Sequence, residues 1–275
     1  MRATIIPNGS VCRANRLAVF RSSPTMSAVV VSAPSVPTVP TVPTIHLSVM
    51  SGFEVRIANE SVFLPANVER VIALLAVRGR PQLRSMMAST LWMDTTTDRA
   101  SANLRTALWR ARQHIDDLLT FEGHYVAFSP SVEVDLAELS RRARRLIDDT
   151  SSLEPDDGDP GSLAGDLLPG WDEEWITFER ERLRQLRIHA LESLCVKLSA
   201  AGRPGQAIDA GLAAVEAEPL RESAQRALVA AHLAEGNVSE ARRQFHLYRR
   251  LLRDELGIEP SDQLRALLDL SSSRA

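Results

Sequence analysis

The sequence predicts a mainly α-helical chain in which a small β-containing domain precedes an all-α repeat domain. Three observations predict it. A helix-period stripe runs through the middle of the chain, where Leu104, Leu108, Ala111 and Ile115 recur at i, i+4, i+7 and i+11. Short alternating or apolar segments bracket that stripe, at residues 45–64 upstream and 119–128 downstream. Finally, Ala190, Leu194, Gly202 and Ala207 return 34 residues later as Ala224, Leu228, Gly236 and Ala241, which is the period of a tetratricopeptide helix pair.

Residues 1–44 are expected to be a disordered tail rich in Arg and Pro. Arg2, Arg13, Arg16 and Arg21 have no acid among them, and the Val-Pro-Thr repeats of 36–44 remove backbone donors and favour extended chain. The charge resembles that of a targeting peptide, but no continuous apolar run or clear cleavage site follows. A tail is the expectation, or a true start at Met26 or Met50.

Residues 45–131 are expected to form the first folded domain. Ile45–Met50 and Phe53–Ile57 alternate, and Val62-Phe63-Leu64 follows, so a small antiparallel sheet is expected. Pro65 opens a first helix with Val68, Val71, Ile72, Leu75 and Ala76 on its apolar stripe, closed by Arg78-Gly79-Arg80-Pro81. A second helix is predicted from Gln82 to Trp92, with Leu83, Met86, Met87, Thr90 and Leu91 turned inward. After a polar connector, Thr97 or Asp98 is expected to cap a third helix from Asp98 to Ile115. Leu119–Phe121, the turn Glu122-Gly123-His124 and Tyr125–Phe128 then make a hairpin. Sheet, two short helices, a long helix and a hairpin, in that order, make a winged helix-turn-helix. In that arrangement the third helix enters a DNA major groove, the second braces it, and the hairpin is the wing.

The chemistry of the third helix suits that role. At 100° per residue the side opposite its stripe carries Ala102, Asn103, Thr106, Trp109, Arg110 and Gln113, with Arg105 on the flank. No acid occurs between Asp98 and Asp116. Guanidinium, amide, hydroxyl and indole groups together suit phosphate contact and base-edge reading. In isolation such a stripe reads as a solvated helix face; its place in the winged arrangement turns the reading towards double-stranded DNA. Arg105, Arg110 and Arg112 are the leading contacts, and Asn103, Thr106 and Gln113 the hydrogen-bonding readers. Arg99 at the helix start and His124 at the wing tip complete the candidate set. Trp109 either presses on a sugar or thymine methyl or packs against the wing.

Residues 132–270 are expected to form the second domain. Val132–Leu136 is the exit from the first, and a helix over 138–147 and an acidic Gly/Pro-containing loop over 148–170 follow. Trp171 and Trp175 are given packing roles, since large aromatics dominate cores. A flanking helix over 172–189 leads into the two 34-residue units, with Gly202 and Gly236 at the turns and Ala207 and Ala241 small where helices cross. Together these helices are expected to stack into one superhelix.

Composition excludes several functions. Residues 45–131 carry 9 Arg against 8 acids, whereas residues 132–275 carry 19 bases against 27 acids. This is not a generally basic coat, and any nucleic-acid contact comes from a local patch. Lys197 is the one lysine and follows no glycine-rich loop, so a phosphate-loop ATPase is excluded. Cys12 and Cys195 form no metal-binding spacing, and the six histidines have no ligand pattern. No nucleophile motif is present. The expectation is a non-enzyme with no cofactor and no metal, in a reducing cytoplasm. No apolar run approaches the roughly 18 residues of a membrane span.

Several motifs carry a family resemblance. Leu91-Trp92, Asp98-Arg99-Ala100 and the run from Asn103 to Arg112 resemble the DNA-binding domain of the Streptomyces antibiotic regulatory protein (SARP) family. Asp135-Leu136 matches that family's junction, Leu167-Leu168-Pro169-Gly170-Trp171 resembles its Leu-Pro-Gly-Trp motif, and 254–267 resembles its C-terminal signature. The resemblance covers about residues 47–268. It implies an OmpR-like winged helix joined to a bacterial transcriptional activator domain of tetratricopeptide type, binding promoter direct repeats as a homodimer and recruiting RNA polymerase. The third helix departs from the commoner family pattern at Asn103-Leu104-Arg105-Thr106, so the target sequence is not carried over. The alternative is an interaction adaptor, in which the helical repeats hold a protein and the winged domain no longer binds DNA; the small positive balance of residues 45–131 keeps it open.

Overall fold

The structure is a computed structural model that describes residues 44–272. The expected tail at 1–44, with the alternative start at Met26, lies outside the described residues save for its last position. The chain begins with strands β1 (Ile45–Ser48), β2 (Glu54–Ile57) and β3 (Glu60–Ser61), followed by helix α1 (Ala66–Arg78). Strand β4 (Gln82–Leu83), α2 (Arg84–Leu91), α3 (Thr97–His114), the hairpin β5 (Leu119–Glu122) and β6 (Tyr125–Phe128), and β7 (Val132–Val134) come next. The rest is helical: α4 (Asp135–Ile147), two 3₁₀ turns, α5 (Glu174–Ala200), α6 (Pro204–Ala217), α7 (Glu222–Glu235), α8 (Val238–Leu256) and α9 (Asp262–Ser272). The fold is therefore mainly α, a winged helix-turn-helix followed by helical repeats. No described helix is long and apolar enough to cross a membrane.

The first sheet has the order β3-β2-β1-β7. Leu47 of β1 lies opposite Val55 of antiparallel β2 and Val134 of parallel β7. Ile45, Leu47 and Val55 face inward and are buried, as a period-two pattern requires. The sequence predicts an antiparallel sheet only. The parallel strand comes from a segment some 85 residues downstream, which local alternation does not connect to β1.

Other corrections sit at element ends. Gln82 and Leu83, expected in the second helix, form a strand against Val126 and Tyr125 of the hairpin. Leu83 is extended at φ −67°, ψ 132°, because the wing claims its backbone. Met86, expected inward, is 59% exposed; the helix starts two residues later than predicted. Thr96, not Thr97 or Asp98, caps α3, its Oγ1 accepting the N–H of Arg99.

In the helical half the recurring residues meet as the repeat requires. Ala190 and Leu194 on α5, Ala207 on α6, Ala224 and Leu228 on α7 and Ala241 on α8 are all fully buried. Gly202 and Gly236 take φ of +72° and +86° at the two turns, a conformation that excludes most side chains. The expected flanking helix and the first repeat helix are one continuous element, α5. Trp175 is buried, and Trp171 packs on Phe53 with ring centres 5.9 Å apart.

One hydrophobic core runs from Ile45 through to Ala231, so the winged and helical halves share it; Val229, Ala241, Tyr248, Leu252 and Leu264 form a second, outer cluster. Polar bonds stitch the seam. The Asp135 carboxylate at the start of α4 accepts the N–H groups of Val49 and Met50, each at 3.0 Å. Leu168 donates its N–H to the Val49 carbonyl at 2.9 Å and is held at φ +45°, a left-handed setting rare for a leucine. Its carbonyl accepts from Arg180. Arg78 at the end of α1 pairs with Glu179 of α5 at 2.7 Å.

Candidate nucleic-acid interface

Helix α3 lies on α1 and α2 through Ala100, Leu104, Ala107, Leu108 and Ala111, all buried. The residue after the helix, Ile115, is buried as well. That stripe dictates what the helix shows outward. Arg99, Arg105, Thr106, Trp109, Arg110, Arg112 and Gln113 are exposed; Asn103, one residue from buried Leu104, is half-buried. The Thr106 hydroxyl donates to the Ala102 carbonyl at 3.0 Å. Trp109 is 61% exposed and shares a groove with Phe121 of the wing.

The electrostatics of this face are set by what does not cover it. Among the described residues no carboxylate forms an ion pair with Arg99, Arg105, Arg110 or Arg112. The acids of the helical half instead pair with Arg70 and Arg78 of α1 and with arginines of their own half. Arg142 and Arg145 close on Asp157, Arg184 on Glu181 and Glu218, Arg221 on Glu192, and Arg249 and Arg253 on Glu259. A chain with a net negative charge thereby keeps one helix face open and positive.

The wing is anchored to the second helix. Gly123 takes φ +58° at the hairpin turn, and exposed His124 follows it at the tip. The His124 carbonyl accepts the N–H of Arg84 at 3.0 Å. Arg84 and Arg112 both lean on Phe121 of β5, their guanidinium carbons 5.1 and 5.6 Å from the ring centre. Arg112 therefore sits at the wing side of α3. A groove of about 580 Å³ lies between α2, α3 and the wing, with Leu104, Leu108 and Phe121 among its walls and Arg105 and Trp109 on it.

The structure thus brings Arg105, Trp109 and Arg112 to one groove, with Arg110 and Gln113 exposed on the same helix and His124 at the wing tip. Arg84 is missing from the sequence reading. Its signal in the sequence is weak, because it stands inside the helix expected to brace α3 and next to no other candidate contact. The pairing of Gln82 and Leu83 with the hairpin is what brings Arg84 beside the wing.

Comparison with known proteins agrees with this architecture. Residues 161–269 match the family model of the bacterial transcriptional activator domain. The chain is 27% identical over 203 residues to the regulatory protein AfsR of Streptomyces griseus, and 28% identical over 204 residues to that of Streptomyces coelicolor. Each match takes in 71% of this chain but only 21% and 20% of those proteins, so the chain spans about a fifth of the length of the curated relatives it matches. Among solved structures, Mycobacterium tuberculosis EmbR in complex with a low affinity phosphopeptide is similar with a TM-score of 0.62. That likeness has 20% sequence identity, covers 84% of this chain and 66% of that one, and shows the fold.

Proposed function

We propose that the chain is a sequence-specific transcriptional activator of the SARP type whose α3 reads the major groove of promoter DNA, a reading supported by the match of residues 161–269 to the bacterial transcriptional activator domain and by the likeness to the AfsR proteins. One observation carries the reading. The face of α3 that bears Arg105, Arg110, Trp109 and Gln113 is exposed, and among the described residues no acid pairs with its arginines. Arg105 and Arg110 are the base-edge candidates, each good contact contributing ~1–3 kcal/mol of discrimination. Asn103, Thr106 and Gln113 add hydrogen-bonding groups, and Arg99 and His124 reach flanking backbone from the helix start and the wing tip. The winged unit supplies the address, and the helical half supplies the docking surface for RNA polymerase and for a second copy on promoter repeats. The chain acts in the cytoplasm and catalyses no reaction. Its buried free thiol, Cys195, is consistent with a reducing compartment.

The test is a gel-shift titration with promoters neighbouring the gene, at two salt concentrations. Specific binding is expected, with affinity falling steeply as salt rises. Substituting Arg105 and Arg110 together with Ala is expected to abolish specific binding and leave far-UV circular dichroism unchanged. Full binding by that double variant would reject the assigned face. Loss of any DNA binding by the native chain would favour the adaptor role.

A further inference from the structure

Two cations converge on one aromatic ring at the wing side of α3. Arg84 is the first residue of α2 and Arg112 lies in the last turn of α3. Cation–π attraction accounts for either guanidinium over Phe121 alone. Together they leave two like charges beside one ring, and like charges oppose each other unless an anion joins them. Where guanidiniums converge elsewhere in the chain, a carboxylate lies between them: Asp157 between Arg142 and Arg145, and Glu259 between Arg249 and Arg253. Among the described residues, Arg84 and Arg112 meet no such group.

We infer that Arg84 and Arg112, held by Phe121, form a clamp for one backbone phosphodiester of the DNA that α3 enters. The inference rests on the reading of α3 as a groove helix and extends it to α2, giving Arg112, a leading contact by sequence, a phosphate as its ligand. Three features favour it. The clamp is assembled in advance: the Arg84 N–H is bonded to the His124 carbonyl at 3.0 Å, and β4 pairs with β6, so the start of α2 and the wing move as one piece. Ser85 and Ser101 stand on the same groove and offer hydroxyl donors to phosphate oxygens. The groove also continues onto Arg105 and Trp109, placing the clamp beside the base-reading groups. Planar guanidiniums suit phosphate oxygens by geometry as well as charge.

Phosphate contacts carry no base sequence, so the test needs no knowledge of the promoter. Binding of the full chain to a short mixed-sequence duplex is measured across a series of potassium chloride concentrations. Each phosphate contact contributes about 0.9 to the slope of log affinity against log salt. Arg84→Gln and Arg112→Gln are each expected to reduce the slope, and the double variant to reduce it by about 1, with thermal midpoints unchanged. Arg243→Gln, on α8 and 67% exposed, removes the same charge and is expected to keep the native slope. A double variant with the native slope would overturn the clamp and leave the groove reading standing. A native chain with no salt-dependent binding would overturn both. A slope lost equally in Arg243→Gln would also overturn the clamp, because net charge alone would then explain it.

Discussion

Glu173, just ahead of α5, accepts two hydrogen bonds from the single guanidinium of Arg70 on α1, the Nη2–Oε2 distance being 2.8 Å. The same carboxylate takes the indole N–H of Trp175 at 3.0 Å, and Arg70 also donates to the Leu91 carbonyl at 2.8 Å. One ion pair thus ties the helix beneath α3, the end of α2 and the entry to the repeat domain. Burial pushes the Glu173 carboxyl up, but the bonds from Arg70 and Trp175 and the charge of Arg70 outweigh it and hold the group below the ordinary carboxylate range. Glu173→Ala is expected to cost about 2 kcal/mol in denaturant unfolding, the scale of hydrogen bonds to a charged group.

The sign of the pH dependence follows from that lowered value. A carboxylate that is more acidic folded than unfolded contributes all of its stability above the ordinary Glu value of about 4.3. It loses that contribution as pH falls through the lower folded value. Asp157 is shifted the same way: burial raises it, while Arg145, the Glu154 N–H and Arg142 lower it further. The thermal midpoint is expected to fall on acidification below about pH 4, and to fall less steeply in Glu173→Ala. Equal losses in the two proteins would contradict the assignment.

Asp157 is 1% exposed and bonded by both Nη atoms of Arg145, at 2.7 and 2.8 Å. Its Oδ2 also accepts the Glu154 N–H at 2.7 Å. Removing the acid leaves two guanidiniums that are only about a fifth exposed, Arg142 without its carboxylate and Arg145 with Glu154 alone. Asp157→Ala is expected to destabilise by about 3 kcal/mol, as unpaired buried charges do, in urea unfolding followed by circular dichroism. A change under about 1 kcal/mol would show that the surrounding loop relaxes to water.

Two glycines of α6 are expected to respond with opposite signs. A Cβ on Gly211 would lie 3.1 Å from Leu228 Cδ1 and 3.2 Å from both Cys195 Sγ and Leu228 Cα. Backbone cannot yield as a side-chain tip can, so Gly211→Val is expected to cost about 1–3 kcal/mol by overpacking. Gly205 has nothing within 4 Å of an added Cβ, and Gly205→Ala is expected to add about 0.5 kcal/mol through a less flexible unfolded chain. Thermal melts of the two variants check both signs.

Trp109 separates stability from recognition. Because it is 61% exposed, Trp109→Ala is expected to change unfolding free energy by no more than about 0.5 kcal/mol. If the indole contacts DNA, affinity for the specific site falls by roughly fivefold, the equivalent of about 1 kcal/mol. A destabilised variant with unchanged affinity would place the ring in the fold instead.

How much of this was legible follows from the range of each interaction. The buried stripe of α3 and the 34-residue recurrence are patterns within a helix or between like units, and residue spacing reveals them directly. Thr96 as the cap was one residue from the expectation, since Thr95 to Asp98 offers several competent side chains and only the backbone angles choose. The strand at Gln82–Leu83 and the parallel strand β7 were not legible, because each depends on a partner far along the chain. The meeting of Arg84 and Arg112 at Phe121 depends on that same pairing, and so it was hidden as well. The half-buried state of Asn103 shows the limit of a helical wheel, which places a residue by angle and ignores the width of the neighbour beneath it.

The bonds from Asp135 to the backbone of Val49 and Met50, together with β7 beside β1, leave no slack where the chain passes from its first half to its second. A protein built this way behaves as a ruler rather than a tether. If copies bind tandem promoter sites as proposed, they would keep a spacing counted in turns of the double helix. On the proposed reading, inserting half a turn between the sites would swing the second copy to the far side of the duplex, away from the first.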